Sequence, residues 1–350
     1  KQPKLRIRNC AEELGVAEAQ LLATRCGQGV TRLKPDFQTL LKRVPELGHV
    51  MALTRNDAMV HERHGLYREI NFFGAVMGQV VGPDIDLRMF MSHWHHGFAV
   101  EDESRDGTRR SLQFFDRDGG AVHKIYLRDD SDLAAFTRIV NDFTAEDQSR
   151  QTAVEPLEPE EPERPDHEID QQAFRQGWRE MRDTHEFFGL LKKHHVARTQ
   201  ALRLVGEEFA KPVSNDSLER VLRAASERQA EIMVFVGSPG CIQIHTGPVE
   251  KIVPFGEWIN VLDPEFNLHA RTPDIAASWI VRKPTKDGIV TALELFDAQG
   301  KNLALLFGKR KPGNPEREDW REILAELPDA DADADAEPST PSNPEQKEAR

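Results

Sequence analysis

No apolar run in this chain approaches the roughly 20 residues that a membrane helix needs. No basic, apolar leader opens it either, so a membrane-spanning protein is not expected. Cysteine is scarce: Cys10, Cys26 and Cys241 are odd in number and far apart, which excludes a disulfide framework and a zinc motif. A reducing cytoplasm is the expected home. Catalytic signatures are missing as well. There is no GxSxG elbow, Walker loop, dinucleotide fingerprint, CxxC or HExxH, and Asp106-Gly107 and Asp287-Gly288 read as turns. Cys241, beside Gly240, reads as a small buried hydrophobe rather than a nucleophile.

The chain also lacks an acidic body, despite a net charge of −13. Residues 145–170 hold ten acidic and two basic side chains, and residues 328–350 hold seven and two, so these segments account for the whole excess. The first, VEPLEPEEPERPD, is rich in proline, and the second contains DADADADAE. Neither buries enough apolar surface to offset the entropy of ordering, so a mobile linker and tail are expected. The remaining 1–144 and 171–327 are neutral overall, which argues against nucleic acid as the main partner despite the basic run Lys309–Lys311.

What the chain does have is an internal duplication. Leu87, Val100, Gly107, Leu112, Phe115, Asp116 and Gly119 recur without a gap as Leu268, Val281, Gly288, Leu293, Phe296, Asp297 and Gly300, a constant offset of 268 − 87 = 181. Upstream, HVMALTRNDAMVHERHG matches EIMVFVGSPGCIQIHTG, and GVAEAQLLAT from Gly15 matches HVARTQALRL from His195. A period this long means duplicated halves, since solenoid repeats run at roughly 20–50 residues. Apolar spacing predicts helices over 17–24, 37–44, 186–193, 199–209 and 217–228, the last capped by Asn215 or Ser217. Strands are expected at 50–53, 111–115, 121–127, 233–236, 242–245, 291–296 and 302–307. The fold class is α+β: two tandem repeats, each an antiparallel sheet with packed helices.

The copies differ where chemistry is possible. Leu14 and Gly15 in the first stand where the second has His194 and His195, at a helix-helix corner. Adjacent corner residues point apart, so one of the two is placed to bind a metal, or else the pair only complements a helix dipole. HWHH, residues 93–96, puts two ligands on one face if it is a strand, or is a half-buried strand with no site. His61 and His64 have Gln243 and Thr246 as counterparts, so they form no duplicated site.

THEFFGLLKKHHVARTQALRLVGE, EIMVFVGSPGCIQIHTGPVEKI, SWIVRKPTKDGIVTALELFD and LALLFGKR, with DLRMF and LQFFDRDG in the first copy, resemble the HemS/ChuS/PhuS family of bacterial cytoplasmic haem-utilisation proteins over nearly the whole chain. The resemblance implies a saddle of two repeats with haem b in a cleft between the halves. It implies His194 as the axial iron ligand, His195 as its substitute and Arg88 on the distal side, donating but not coordinating. Propionate cations are then expected from Arg282, Lys283, Lys309 and Arg310, with Phe307 against the ring where the family usually has tyrosine. His61 matches a histidine proposed as a secondary ligand in some members. The implied partners are an inner-membrane haem importer as donor and a haem oxygenase or other protein as acceptor. The implied function is haem trafficking, with haem degradation and haem-dependent DNA binding as alternatives.

Overall fold

The computed structural model describes residues 6–104, 107–157, 162–310 and 313–330. These residues form two nine-stranded antiparallel sheets. The first runs β1 (Val30–Arg32), β7 (His96–Ser104), β8 (Gly107–Phe115), β9 (Ala121–Leu127), β2 (Val50–Arg55) and β3 (Met59–Gly65). It is completed by β15 (Phe266–Arg271), β14 (Trp258–Leu262) and β13 (Ile252–Phe255) of the other copy. The second sheet runs β10 (Ala210–Val213), β16 (Ala277–Thr285), β17 (Gly288–Phe296), β18 (Asn302–Gly308), β11 (Ile232–Ser238) and β12 (Cys241–Gly247). Its last strands are β6 (Asp86–Phe90), β5 (Met77–Val80) and β4 (Ile70–Phe73) of the first copy.

The two repeats are therefore present, but each lends three strands to the other's sheet through the pairings Leu268↔His61 and Arg88↔Ile242. The exchange costs no hydrogen bond, because either copy offers the same antiparallel edge.

The inner faces of the sheets pack on each other. One core joins α8 (Ser217–Glu227) and α9 (Glu318–Ala325) to Val234, Val236 and Leu306 of the second sheet and to Val261, Phe266 and Leu268 of the first. Its counterpart joins α3 (Phe37–Arg43) and α4 (Leu133–Phe143) to Ala52, Leu112 and Phe114 and, from the second sheet, to Leu87, Met89 and Cys241. At roughly 1.5–3 kcal/mol per fully buried large side chain, these residues hold the seam. Within it runs a polar chain. The Tyr67 hydroxyl lies 2.6 Å from His123 Nε2, His123 Nδ1 lies 2.8 Å from Thr54 Oγ1, and Thr54 donates to Gln243 Oε1 at 2.9 Å. His245 stacks on Phe266 with centroids 3.8 Å apart, and on His61 neither ring nitrogen has a hydrogen-bond partner.

The outer faces carry the remaining helices. α1 (Ile7–Leu14) and α2 (Glu18–Ala23) cover part of the first sheet. α5 (Gln171–Arg179), α6 (Glu186–His194) and α7 (Arg198–Val205) cover the β10–β16–β17 side of the second. α7 stops at Val205, short of the expected 209, because Gly206 (φ 96°, ψ 158°) turns the chain into β10. The last predicted cap is also corrected. Asp216 occupies the cap without a side-chain bond to the helix backbone, its carboxylate taking Arg220 instead, while the Ser217 hydroxyl donates to Ser214 O and Asn215 Nδ2 donates to Ala276 O.

The linker is pinned on both sides of residues 158–161, which are outside the described set. Arg32 donates to Ser149 O at 3.0 Å, Gln151 O at 2.8 Å and Thr152 Oγ1 at 2.9 Å, and Gln200 Nε2 donates to Arg164 O at 2.6 Å. The expectation of a freely mobile linker missed these anchors because they lie far away in sequence. The expected mobile tail, from 331 onward, falls outside the described residues, as do Asp106 and Lys311.

Candidate functional site

Directly paired residues in an antiparallel sheet share a face. Across the second sheet one such row runs Trp279, Glu294, Leu305, Phe235, Ile244 and Asp86. Four strand spacings, about 19 Å, separate Glu294 from Asp86. Beside this row, on the same outer face, stand Phe307, Met233, Ile242 and Arg88. Met233, Phe235, Leu305, Phe307 and Ile242 are half-exposed, whereas their neighbours Val234, Val236 and Leu306 are buried in the seam. The result is an apolar floor, open to solvent, with Phe235 and Phe307 edge to face at 5.2 Å.

Helices wall one side of the floor. The α6–α7 corner is tied down by a buried ion triad. Glu294, 0% exposed, takes Lys283 Nζ on Oε1 at 2.5 Å and Arg198 Nη2 on Oε2 at 2.8 Å. Burial pushes the Glu294 carboxyl up, but Arg198 and Lys283 outweigh it and hold the group below its ordinary range. Burial likewise draws Lys283 below its usual value, against Glu294. Phe187 of α6 lies over Lys283 Nζ at 4.3 Å, and Arg198 opens α7, so one carboxylate positions both helices.

His194 ends α6, edge-on to Phe174 at 5.6 Å. Its Nε2 is buried and has no hydrogen-bond partner. Leaving a buried polar atom unpaired costs about 1–3 kcal/mol, so this nitrogen is available for an electron-pair acceptor. To use it, the ring must turn from Phe174. His195 is different: it is the left-handed C-cap of α6 (φ 52°, ψ 48°) and exposed. Gly15 holds the same place after α1, with φ 65° and ψ 32°. Glycine adopts this conformation without the steric cost of a Cβ. His195→Gly is therefore expected to raise stability by up to about 1 kcal/mol in urea unfolding; a loss of stability would show that the His195 ring makes a contact worth more than the strain.

Arg88 reaches the floor through strand exchange. Its Nη1 is bonded to Asp86 Oδ1 and, at 3.1 Å, to Leu87 O. Burial raises the Asp86 carboxyl despite the Arg88 charge beside it.

The other expected cations fall in different places. Arg282 alternates with Lys283 along β16 and so faces the opposite side, where with Arg321, Ile289 and Leu324 it lines a cavity of about 280 Å³. Lys283 faces the helices but is committed to Glu294. Lys309 is paired with Glu231 Oε1 at 2.7 Å. Arg310 is half-buried and, among the described residues, has no ion-pair partner. The HWHH expectation also changes. Residues Met91–His93 form a short 3₁₀ turn and β7 begins at His96, so no strand spans the motif. His93 and His95 instead flank buried Asp116, at 2.7 and 3.3 Å, and Trp94 Nε1 donates to Gly240 O. His61 lies in the seam, away from the floor. Among the described residues no three metal-ligating groups converge.

Sequence reasoning missed Glu294, Phe174, Asp86 and the floor residues other than Phe307 and Arg88. Glu294 carried a signal, as the one charge in the apolar strand TALELF.

A family model for the haemin-degrading HemS.ChuX domain matches residues 15–143 and again 195–327. The chain belongs to this family. The two matches start 195 − 15 = 180 residues apart, in agreement with the duplication. The hemin transport protein HmuS of Yersinia pestis is 42% identical over 329 residues, covering 91% of this chain and 92% of that protein. The hemin transport protein HemS of Yersinia enterocolitica is 42% identical, with 93% of each chain covered. Among solved structures, holo-PhuS, a heme-binding protein from Pseudomonas aeruginosa, superposes with a TM-score of 0.91 at 48% identity, covering 93% of this chain and 94% of that one. The Escherichia coli O157:H7 heme degrading enzyme ChuS does so with a TM-score of 0.85 at 36% identity, covering 93% and 95%. Among the described residues no helix is long and apolar enough to cross a membrane.

Proposed function

We propose that this chain binds one haem on the open floor of the second sheet and carries it in the cytoplasm from an inner-membrane importer to an acceptor such as a haem oxygenase. The observation that carries this reading is His194. A buried imidazole nitrogen without a partner ends α6, a helix packed on the second sheet, whose apolar aromatic floor bears one arginine, Arg88. The donor set fits haem: a neutral imidazole for iron, Phe235, Phe307, Met233 and Leu305 for the macrocycle, and a guanidinium that donates without coordinating. Arg310 is the cation left for a propionate. Leu14 and Gly15 give the first copy no matching ligand, so one principal haem per chain is expected. His195, exposed next to the buried His194, offers a second imidazole during release.

Degradation is the competing reading, favoured by the likeness to ChuS, an E. coli heme oxygenase. Haem supplies redox chemistry when bound; the residues of this chain supply ligation, an apolar floor and the Arg88 donor. The two readings part in one experiment. Hemin-loaded protein receives an electron donor in air, with catalase present. A persistent Soret band and transfer to an acceptor support trafficking, whereas loss of the band with bile-pigment products overturns it.

A further inference from the structure

We propose that Asp86 is a latch on Arg88: in the empty protein its carboxylate holds the guanidinium back along its own strand, and haem binding must open that pair. The proposal rests on the reading of Arg88 as the distal residue.

Asp86 and Arg88 are two residues apart on β6 and share the outer face, with Ile244 and Ile242 as their cross-strand neighbours. The described bonds of Arg88 all use Nη1, one to Asp86 Oδ1 and one to Leu87 O, so the side chain curls back rather than extending over the floor. The Asp86 side chain is 20% exposed, set among apolar residues where a carboxylate gains nothing from burial. A partly exposed ion pair of this kind contributes little to stability, so its role in holding the fold is slight.

The sister strand shows that the fold does not need it. On β15 the corresponding positions, 86 + 181 and 88 + 181, are Asn267 and His269. Those residues bond elsewhere, Asn267 Nδ2 to Asp263 O at 2.7 Å and His269 Nδ1 to Asn260 Oδ1 at 2.7 Å. The carboxylate-guanidinium pair therefore belongs to the floor of the second sheet and not to the repeat. A latch that breaks only when haem offers Arg88 a better acceptor slows association and biases Arg88 between two positions.

The test is a double-mutant cycle on hemin association by stopped flow, with the ferric spectrum recorded for each complex. Asp86→Asn is expected to speed association several-fold and shift the ferric spectrum, and Asp86→Glu, which keeps the charge, to restore slow binding. With Arg88→Ala already present, Asp86→Asn is expected to change neither quantity. Equal rates for parent and Asp86→Asn, or the same acceleration without Arg88, overturn the latch while leaving the distal reading intact. An Arg88→Ala complex with the parent's rate and spectrum overturns both.

Discussion

Lowering the pH from about 6.5 to 5.5 is expected to remove about 3 kcal/mol of unfolding free energy, before most carboxylates titrate. The cause is the seam. Burial pulls His123 and His245 down to about 3 and holds His61 well below its ordinary value, where His245 and Arg63 add to the effect. No carboxylate pairs with any of the three among the described residues. Around them stand neutral partners: Tyr67, Thr54, Gln243 and Cys241, the last with its thiol raised by burial to about 12. Each imidazole binds a proton more weakly in the folded chain than in the unfolded one. The unfolded chain therefore takes up protons first as the pH falls below 6.5. The stabilisation is complete above that value and declines by about 1.4 kcal/mol per pH unit for each histidine. Urea midpoints at pH 7.5, 6.5 and 5.5 check this, and His61→Leu is expected to remove about a third of the slope. Equal stability at the three pH values would show that the seam admits charge.

Glu294→Gln is expected to cost about 3–5 kcal/mol, because it strands two cations that have no other acid as ion-pair partner among the described residues. Lys283 is 6% exposed and lies under Phe187, and Arg198 is held over Phe187, Phe188 and Phe296. Lys283 does not reach water without lifting α6, and Arg198 keeps only 17% of its side chain exposed. Hemin affinity should fall along with stability, since these helices carry His194. Replacing all three residues together, with Glu294→Leu, Lys283→Met and Arg198→Met, is expected to recover most of the loss, as apolar groups of similar size need no partner. Urea unfolding of the single and triple variants decides the matter; a Glu294→Gln cost below about 1 kcal/mol would mean that water already enters the triad. The first copy solves the same problem with the charges reversed. Glu18, at the position of Arg198, supplies the acid from the helix, and Lys124 and Arg55 supply the cations from the sheet.

That reversal shows what was legible in the sequence. The duplication was visible because a gapless offset needs only matching residues, and strand 121–127 coincides with β9 because DRDGG bounds it sharply. Strand exchange was not legible. β6 and β15 keep the same pattern whichever sheet they join, so apolar periodicity is blind to the choice. The histidine pair was found from its absence in the other copy, yet which ring is buried depends on the left-handed cap at His195, a backbone property. Lys283 was misjudged for a different reason. A lysine in a strand looks like a free cation until its acid is located, and Glu294 lies across a hairpin, eleven residues on. Arg282 was avoidable, since neighbours on one strand cannot face one ligand.

Haem binding as proposed above rests on the orphaned Nε2 of His194. Hemin titration of the parent and of His194→Ala, read as the Soret band and its response to added imidazole, tests it most directly. A stoichiometric band is expected in the parent, a displaced and at least tenfold weaker one in His194→Ala, and partial recovery with imidazole in the vacated space. A His194→Ala protein with the parent's band and affinity would contradict it.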